Sequence, residues 1–158
     1  MSHFLRFVRV LALGAWVGAI VYFAAVVTRG AFAVLPSRDE AGLLVGFTLG
    51  GLHLMGLIAA AIFVIASVAL TRSLRAFAEP AVLGVILMAA LTIASQSHVI
   101  PKVEVLRSQM GSVDATPPSD PRRAEFDRLH HVSVEIEGAV LVVGLISLFL
   151  TMRRESSV

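Results

Sequence analysis

AGLLVGFTLGGLHLMGLIAAAIFVIASVALT, Ala41–Thr71, runs for 31 residues without a formal charge. About 20 apolar residues suffice for a helix to cross the hydrocarbon core of a bilayer. This stretch therefore makes the chain a membrane protein, and the rest of the sequence repeats the pattern. Nineteen uncharged residues separate Arg9 from Arg29, and 22 separate Glu79 from Lys102. A fourth stretch, Leu129–Met152, carries only Glu135 and Glu137. Four crossings use most of the 158 residues, which leaves no room for a separate soluble domain. Composition agrees: 57% of residues are hydrophobic, 15% are charged and mean hydropathy is +0.86, whereas soluble domains carry about 25% charged residues.

The expected fold is all-α, a four-transmembrane-helix up-down bundle in one integral membrane domain spanning 1–158. Strand-like alternation is absent, and a helix satisfies its own backbone in lipid. The helices are expected at about 4–35, 40–70, 79–110 and 121–153, with an outer loop at 111–120 (GSVDATPPSD). Ser37 and Asp39 are candidate N-caps for the second helix. Pro80 suits a first helical turn, and Pro101 marks a possible kink in the third helix. Arg6 and Arg9 followed by an apolar run have the look of a signal peptide. The run is longer than a signal h-region and lacks a clean cleavage site, so it reads as a retained spanning helix.

Arg6, Arg9, Arg72, Arg75, Arg153 and Arg154 fall on one side, with Glu79 and Glu155. The other side holds seven basic and seven acidic residues. The clustered arginines of the termini and second link place both termini in the cytoplasm by the positive-inside rule. The expected location is a bacterial inner (plasma) membrane. Although the pI is 9.9, the basic residues sit at helix ends rather than on a soluble face, so nucleic acid is not an expected partner; the lipid bilayer is. Gly14/Gly18 and Gly46/Gly50 form GxxxG pairs that suit close helix approach, within the bundle or in a homo-oligomer. Trp16, Met55 and Met88 read as packing residues.

The absence of cysteine excludes disulfides, iron–sulfur clusters and thiolate metal sites. Polar residues within the spans are more informative, because intramembrane ionisable groups are costly and tend to be functional. At 1.5 Å per residue from the cytoplasmic boundary, His53, His98 and Ser133 lie at roughly 27 Å, Gln96 and Glu135 at roughly 24 Å, Glu137 at roughly 21 Å and His130 at roughly 32 Å. Tyr22 and Thr28 on the first helix lie at broadly similar levels. Three helices thus place ligand-type side chains in the outer third of the core. On the fourth helix, His130, Ser133 and Glu137 form one stripe and His131 and Glu135 another. The first is expected to face inward, because Glu137 is the deeper carboxylate. His131 is expected to pair with Glu135 near the water interface.

Two chemistries suit such a layer. His53, His130 and His98 with Glu137 or Glu135 could ligate copper, zinc or iron, or His53 and His130 could be axial ligands to haem b. HExxH is absent, as is Glu-x-x-His on the fourth helix, which disfavours a di-iron site. Three activities remain open: metal handling or redox, small-molecule or metal-compound transport by an oligomer, and a scaffold whose polar network sets helix register. No nucleophile–base arrangement points to a cofactor-free enzyme.

Leu13–Pro36 (LGAWVGAIVYFAAVVTRGAFAVLP), Gly50–Gly56 (GGLHLMG), His98–Arg107 (HVIPKVEVLR) and Phe126–Ser133 (FDRLHHVS) resemble, in this order, the transmembrane protein 205-like family, a four-helix membrane domain of unknown function. The matching positions are Gly14-Ala15-Trp16, Leu35-Pro36, His53, Pro101 and Arg128-x-His130-x-x-Ser133. The resemblance implies the fold and the membrane location. The family's position at Glu137 is usually asparagine, so Glu137 departs from its pattern, as does His98. Eukaryotic members are connected with resistance to metal-containing compounds, which hints at metal handling.

Overall fold

In the computed structural model, residues 2–156 are described, with side chains described for 2–153. The side chains of Arg154 and Glu155, which enter the charge balance above, lie outside the described residues. Four helices cross: α1 (Ser2–Val34), α2 (Arg38–Thr71), α3 (Pro80–Met110) and α4 (Pro121–Ser156). The first three and α4 as far as Arg153 are long and apolar enough to span a bilayer. Neighbours in sequence are antiparallel neighbours in space. α1 packs on α2 and α4, and α3 packs on the same two, closing a ring. Ser2 and Ser156 therefore lie at one end of the bundle, the termini end. The 111–120 loop lies at the other, the loop end.

Helix boundaries follow local chemistry. The Ser37 hydroxyl accepts the Glu40 N–H (3.2 Å) and caps α2. Asp39 and Glu40 occupy its first turn, where negative charge opposes the helix dipole. At the far end Arg72 enters the left-handed region at φ 49° and its N–H reaches Val68 O. A 3-10 turn, Leu74–Ala78, leads to α3, which starts on Pro80. Gly111, at φ 71°, ends α3, a conformation favoured by glycine because it lacks Cβ.

Two spans depart from regular α-helix. α1 widens into a π-helical segment over Phe23–Thr28, and α3 does so over Ser95–Val99. In α3 the Ile100 N–H bonds back to Ser95 O, five residues away, and Pro101 follows with no N–H to give. Both segments fall in the loop-end half.

The packed centre is built around Trp16, Val17, Ile20, Phe63, Met88 and Val140. Here glycine permits close approach: a methyl at Gly56 would overlap the Trp16 indole, and one at Gly144 would meet Val17 and Met88 at 2.8–2.9 Å. The GxxxG pairs are not the contact points inside the bundle. Gly14, Gly18 and Gly50 face open space, and only the Arg107 guanidinium approaches the Gly46 position, at 3.9 Å. The largest core side chains demand room, and they face other glycines. Outward, Phe47, Ile65 and Phe4 are among the many exposed large apolar residues, as expected of a lipid-facing surface.

At the termini end, the Arg9 guanidinium meets Glu79 Oε2 at 3.1 Å and lies 4.9 Å over the Phe63 ring. Both charged residues are buried. The charge count treats them as surface residues. They instead form a buried ion pair, because Glu79 at the start of α3 comes within reach of Arg9 on α1.

Candidate functional site

The loop-end half of the bundle contains a cavity of about 370 Å³. Phe23, Phe32, Val45, Leu49 and Val103 give it apolar walls. His130, Ser133 and Glu137 run down one side as a polar stripe on α4. The widened turn of α1 brings Phe23 and Thr28, five residues apart, onto the same cavity wall; regular α-helical spacing would separate them by about 140°. Toward the mouth stand Arg38, Asp39, Glu104, Arg107, Asp114 and Arg123.

Glu137 reaches from this stripe to His53, a buried residue behind the cavity lining. His53 is 3% exposed and sits in the middle of α2. Its Nδ1 is hydrogen-bonded to the Gln96 side-chain amide (2.8 Å to Oε1), across to the π-helical segment of α3. Its Nε2 lies 3.5 Å from Glu137 Oε2 on the diagonally opposite α4. That nitrogen is buried with no hydrogen-bond partner. In the tautomer with the proton on Nδ1, Nε2 presents a lone pair toward a carboxylate oxygen, and a proton or a cation between them satisfies both; with the proton on Nε2 and the Gln96 amide turned, Nε2–H points at Glu137.

The remaining residues of the expected layer are dispersed. His130 lines the cavity seven residues before Glu137, about 10 Å nearer the loop end. Its ring stacks on Phe126, 6.4 Å between centroids. His98 is exposed. It follows Gln96 by two positions, about 200° around a helix, so both cannot face His53. Tyr22 is 61% exposed and turned out of the bundle, just before α1 widens. His131 and Glu135 lie on the exposed face of α4, opposite the stripe that lines the cavity. Among the described residues no group of three or more His, Asp or Glu converges as a ready metal cage.

Sequence reasoning missed Arg107. Its Nη2 lies 2.9 Å from where a Gly42 Cβ would be, its guanidinium carbon is 5.7 Å from the Phe126 ring centre, and its Nε is buried without a hydrogen-bond partner. The charge pattern places it at a helix end, where arginine ordinarily faces water. No one-dimensional signal reveals that it folds inward over Gly42.

The loop is tied to the helices beneath it. Asp39 accepts the Ser112 hydroxyl (2.5 Å) and the Val113 N–H (2.9 Å), and Asp114 accepts the Arg38 N–H (3.1 Å). Arg123 donates to Asp127 and to the Val113 carbonyl. At the start of α4, Asp120 accepts the backbone and side-chain N–H groups of Arg122, which hold its carboxyl down at about 2.

No curated protein and no solved structure matches the chain. The sequence pattern of a family described as a domain of unknown function (DUF4149) matches residues 11–112. That region runs from within α1 through α3 to the first residues of the loop, and it includes His53, Gln96 and Arg107. Since it covers more than half of the chain, this four-helix membrane protein belongs to the DUF4149 family.

Proposed function

We propose that the protein is a membrane-embedded receptacle for a transition-metal ion, which enters from the loop end and is taken up between His53 Nε2 and Glu137 Oε2. One observation carries the reading: a buried imidazole nitrogen with no hydrogen-bond partner faces a carboxylate at 3.5 Å. Two donors on one tetrahedral ion, with bonds of about 2.0–2.2 Å, stand about 3.4 Å apart. The Gln96 bond to Nδ1 also supports it, because ligating histidines are commonly oriented by a partner on their other nitrogen. Two protein donors leave coordination positions for ligands that arrive through the cavity. This suits transit or exchange of copper, zinc or iron better than a permanent structural ion, which takes about four protein ligands. Axial ligation of haem b by His53 and His130 is less favoured, because His130 sits about 10 Å farther out along α4 than Glu137. The resemblance to the transmembrane protein 205-like family, with its link to metal-containing compounds, points the same way.

Purified protein in lipid nanodiscs, titrated with zinc, copper(II) and iron(II), is expected to take up about one ion per protomer. His53→Leu and Glu137→Gln should each abolish uptake. Failure of the wild type to bind all three ions overturns the proposal. An intense visible band near 400 nm in the purified protein would replace the bare ion with haem. Variants that keep their folding temperature and every property of the wild type would reduce the polar pair to a helix-register device.

Transport is the wider activity favoured by the shape, with a cavity at one end and a buried ion pair at the other. Four helices are few for a transport path. The open faces at Gly14, Gly18 and Gly50 offer surfaces for a second copy, and crosslinking in native membranes tests for it. The arginine clustering supports cytoplasmic termini and a cavity facing the extracytoplasmic side of a bacterial inner membrane.

A further inference from the structure

The mouth of the cavity carries a recognition element that the His53–Glu137 pair does not use. Arg107 projects from α3 toward α2. Its terminal nitrogens lie over Gly42 and Gly46, at 2.9 and 3.9 Å from where a Cβ would sit. These glycines precede His53 by eleven and seven residues, so the guanidinium stands about 10–16 Å from the level of His53 along α2. Phe126 lies 5.7 Å beneath its carbon. Its Nε is buried without a hydrogen-bond partner. Among the described residues Arg107 has no salt bridge within 4.0 Å.

Several charged groups around it are committed: Asp39 to Ser112 and Val113, Asp114 to the Arg38 N–H, and Arg123 to Asp127 and the Val113 carbonyl. Glu104, one turn earlier on α3, lines the same mouth. Arg107 is therefore a part-buried cation with donors to spare, seated on an aromatic ring at the head of an apolar-walled cavity. A guanidinium presents a planar fork that matches a carboxylate with two parallel hydrogen bonds.

We propose that the mouth of this cavity binds a small organic monocarboxylate, its carboxylate on Arg107 and its apolar body against Phe32, Val45 and Leu49. The mouth selects against dianions, because Asp39, Glu104 and Asp114 face the same space as Arg107 and repel a second negative charge that one guanidinium does not offset. The ligand is thus an amphiphilic monoanion rather than a dianion. The site stands independently of the metal reading, because it uses neither His53 nor Glu137.

Benzoate serves as the probe, with benzamide as its neutral isostere and sulfate as the dianionic control. Calorimetric titration of the full chain in nanodiscs at pH 7 is expected to show benzoate binding at least tenfold tighter than benzamide or sulfate. Arg107→Gln should weaken benzoate at least tenfold, and Arg107→Lys should restore part of the loss. His53→Leu should leave benzoate binding unchanged even where it abolishes metal uptake, so the two readings fail separately. Equal binding of benzoate and benzamide, no benzoate binding, or benzoate binding indifferent to Arg107→Gln overturns the proposal. The wild-type comparison decides the matter even if an Arg107 variant fails to fold.

Discussion

Gly56 and Gly14 look alike in sequence, each within an apolar span, yet the bundle treats them differently. A methyl at Gly56 collides with the Trp16 indole, while Gly14 has nothing within 4 Å. Gly56→Ala should destabilise the protein by about 1–3 kcal/mol, the usual cost of overpacking. Gly14→Ala should stay within about 0.5 kcal/mol. Thermal unfolding in detergent distinguishes the two. Asp120 offers a pH test. Its carboxyl is lowered from 3.8 to about 2 by Arg122. The stabilisation this gives is complete above the unfolded value of 3.8 and is lost as pH falls through about 2. Between pH 4 and 2 the unfolding temperature of the wild type should therefore drop more than that of Asp120→Asn. Residue-level reading of the sequence went far on α4. Depth and helical spacing alone put Glu137 on the stripe that lines the cavity. It went less far on α3, where level was weighed without angle: Gln96 and His98 share a height but point to opposite sides.

The helices carry information that no single residue does. Four long apolar runs, the cap at Ser37 and the turn at Gly111 are all visible in the sequence, because each has a strong local cause. The widened segments Phe23–Thr28 and Ser95–Val99 are not. π-helical turns have no reliable composition and frequently accompany functional positions. Pro101 is the one local hint, and it reads more naturally as a kink. Its missing N–H leaves the preceding turn free to widen, and that turn positions Gln96 against His53. Pro101→Ala should let α3 continue as regular helix and rotate Gln96 away. The expected result is an unfolding temperature equal to or above the wild type together with a zinc affinity lowered about 10–100-fold, the range for losing a ligand-orienting partner. A drop in stability with unchanged zinc binding would show that the proline does not set the turn.

At the scale of the whole molecule, the lack of cysteine makes topology directly measurable. Single cysteines at Ala115 and Leu74 sit at opposite ends of the bundle, and an impermeant maleimide added to intact cells should label the first and not the second. Reversed labelling would invert the membrane orientation. The ring of four helices was legible because hydrophobic length dictates it. The Arg9–Glu79 contact, 70 positions apart in sequence, was not, since only the closed tertiary structure brings the partners together. Glu79→Ala breaks a buried ion pair and should lower the unfolding temperature. The double change Arg9→Met with Glu79→Leu should recover most of that loss in the same unfolding assay.

That contact has a consequence for how the two ends loosen. The large hollow lies in the loop-end half, while the opposite half is packed around Trp16 and Phe63 and closed over by two buried opposite charges. Parting those charges means hydrating both, so backbone amides near Arg9 should exchange with solvent more slowly than those beside the hollow.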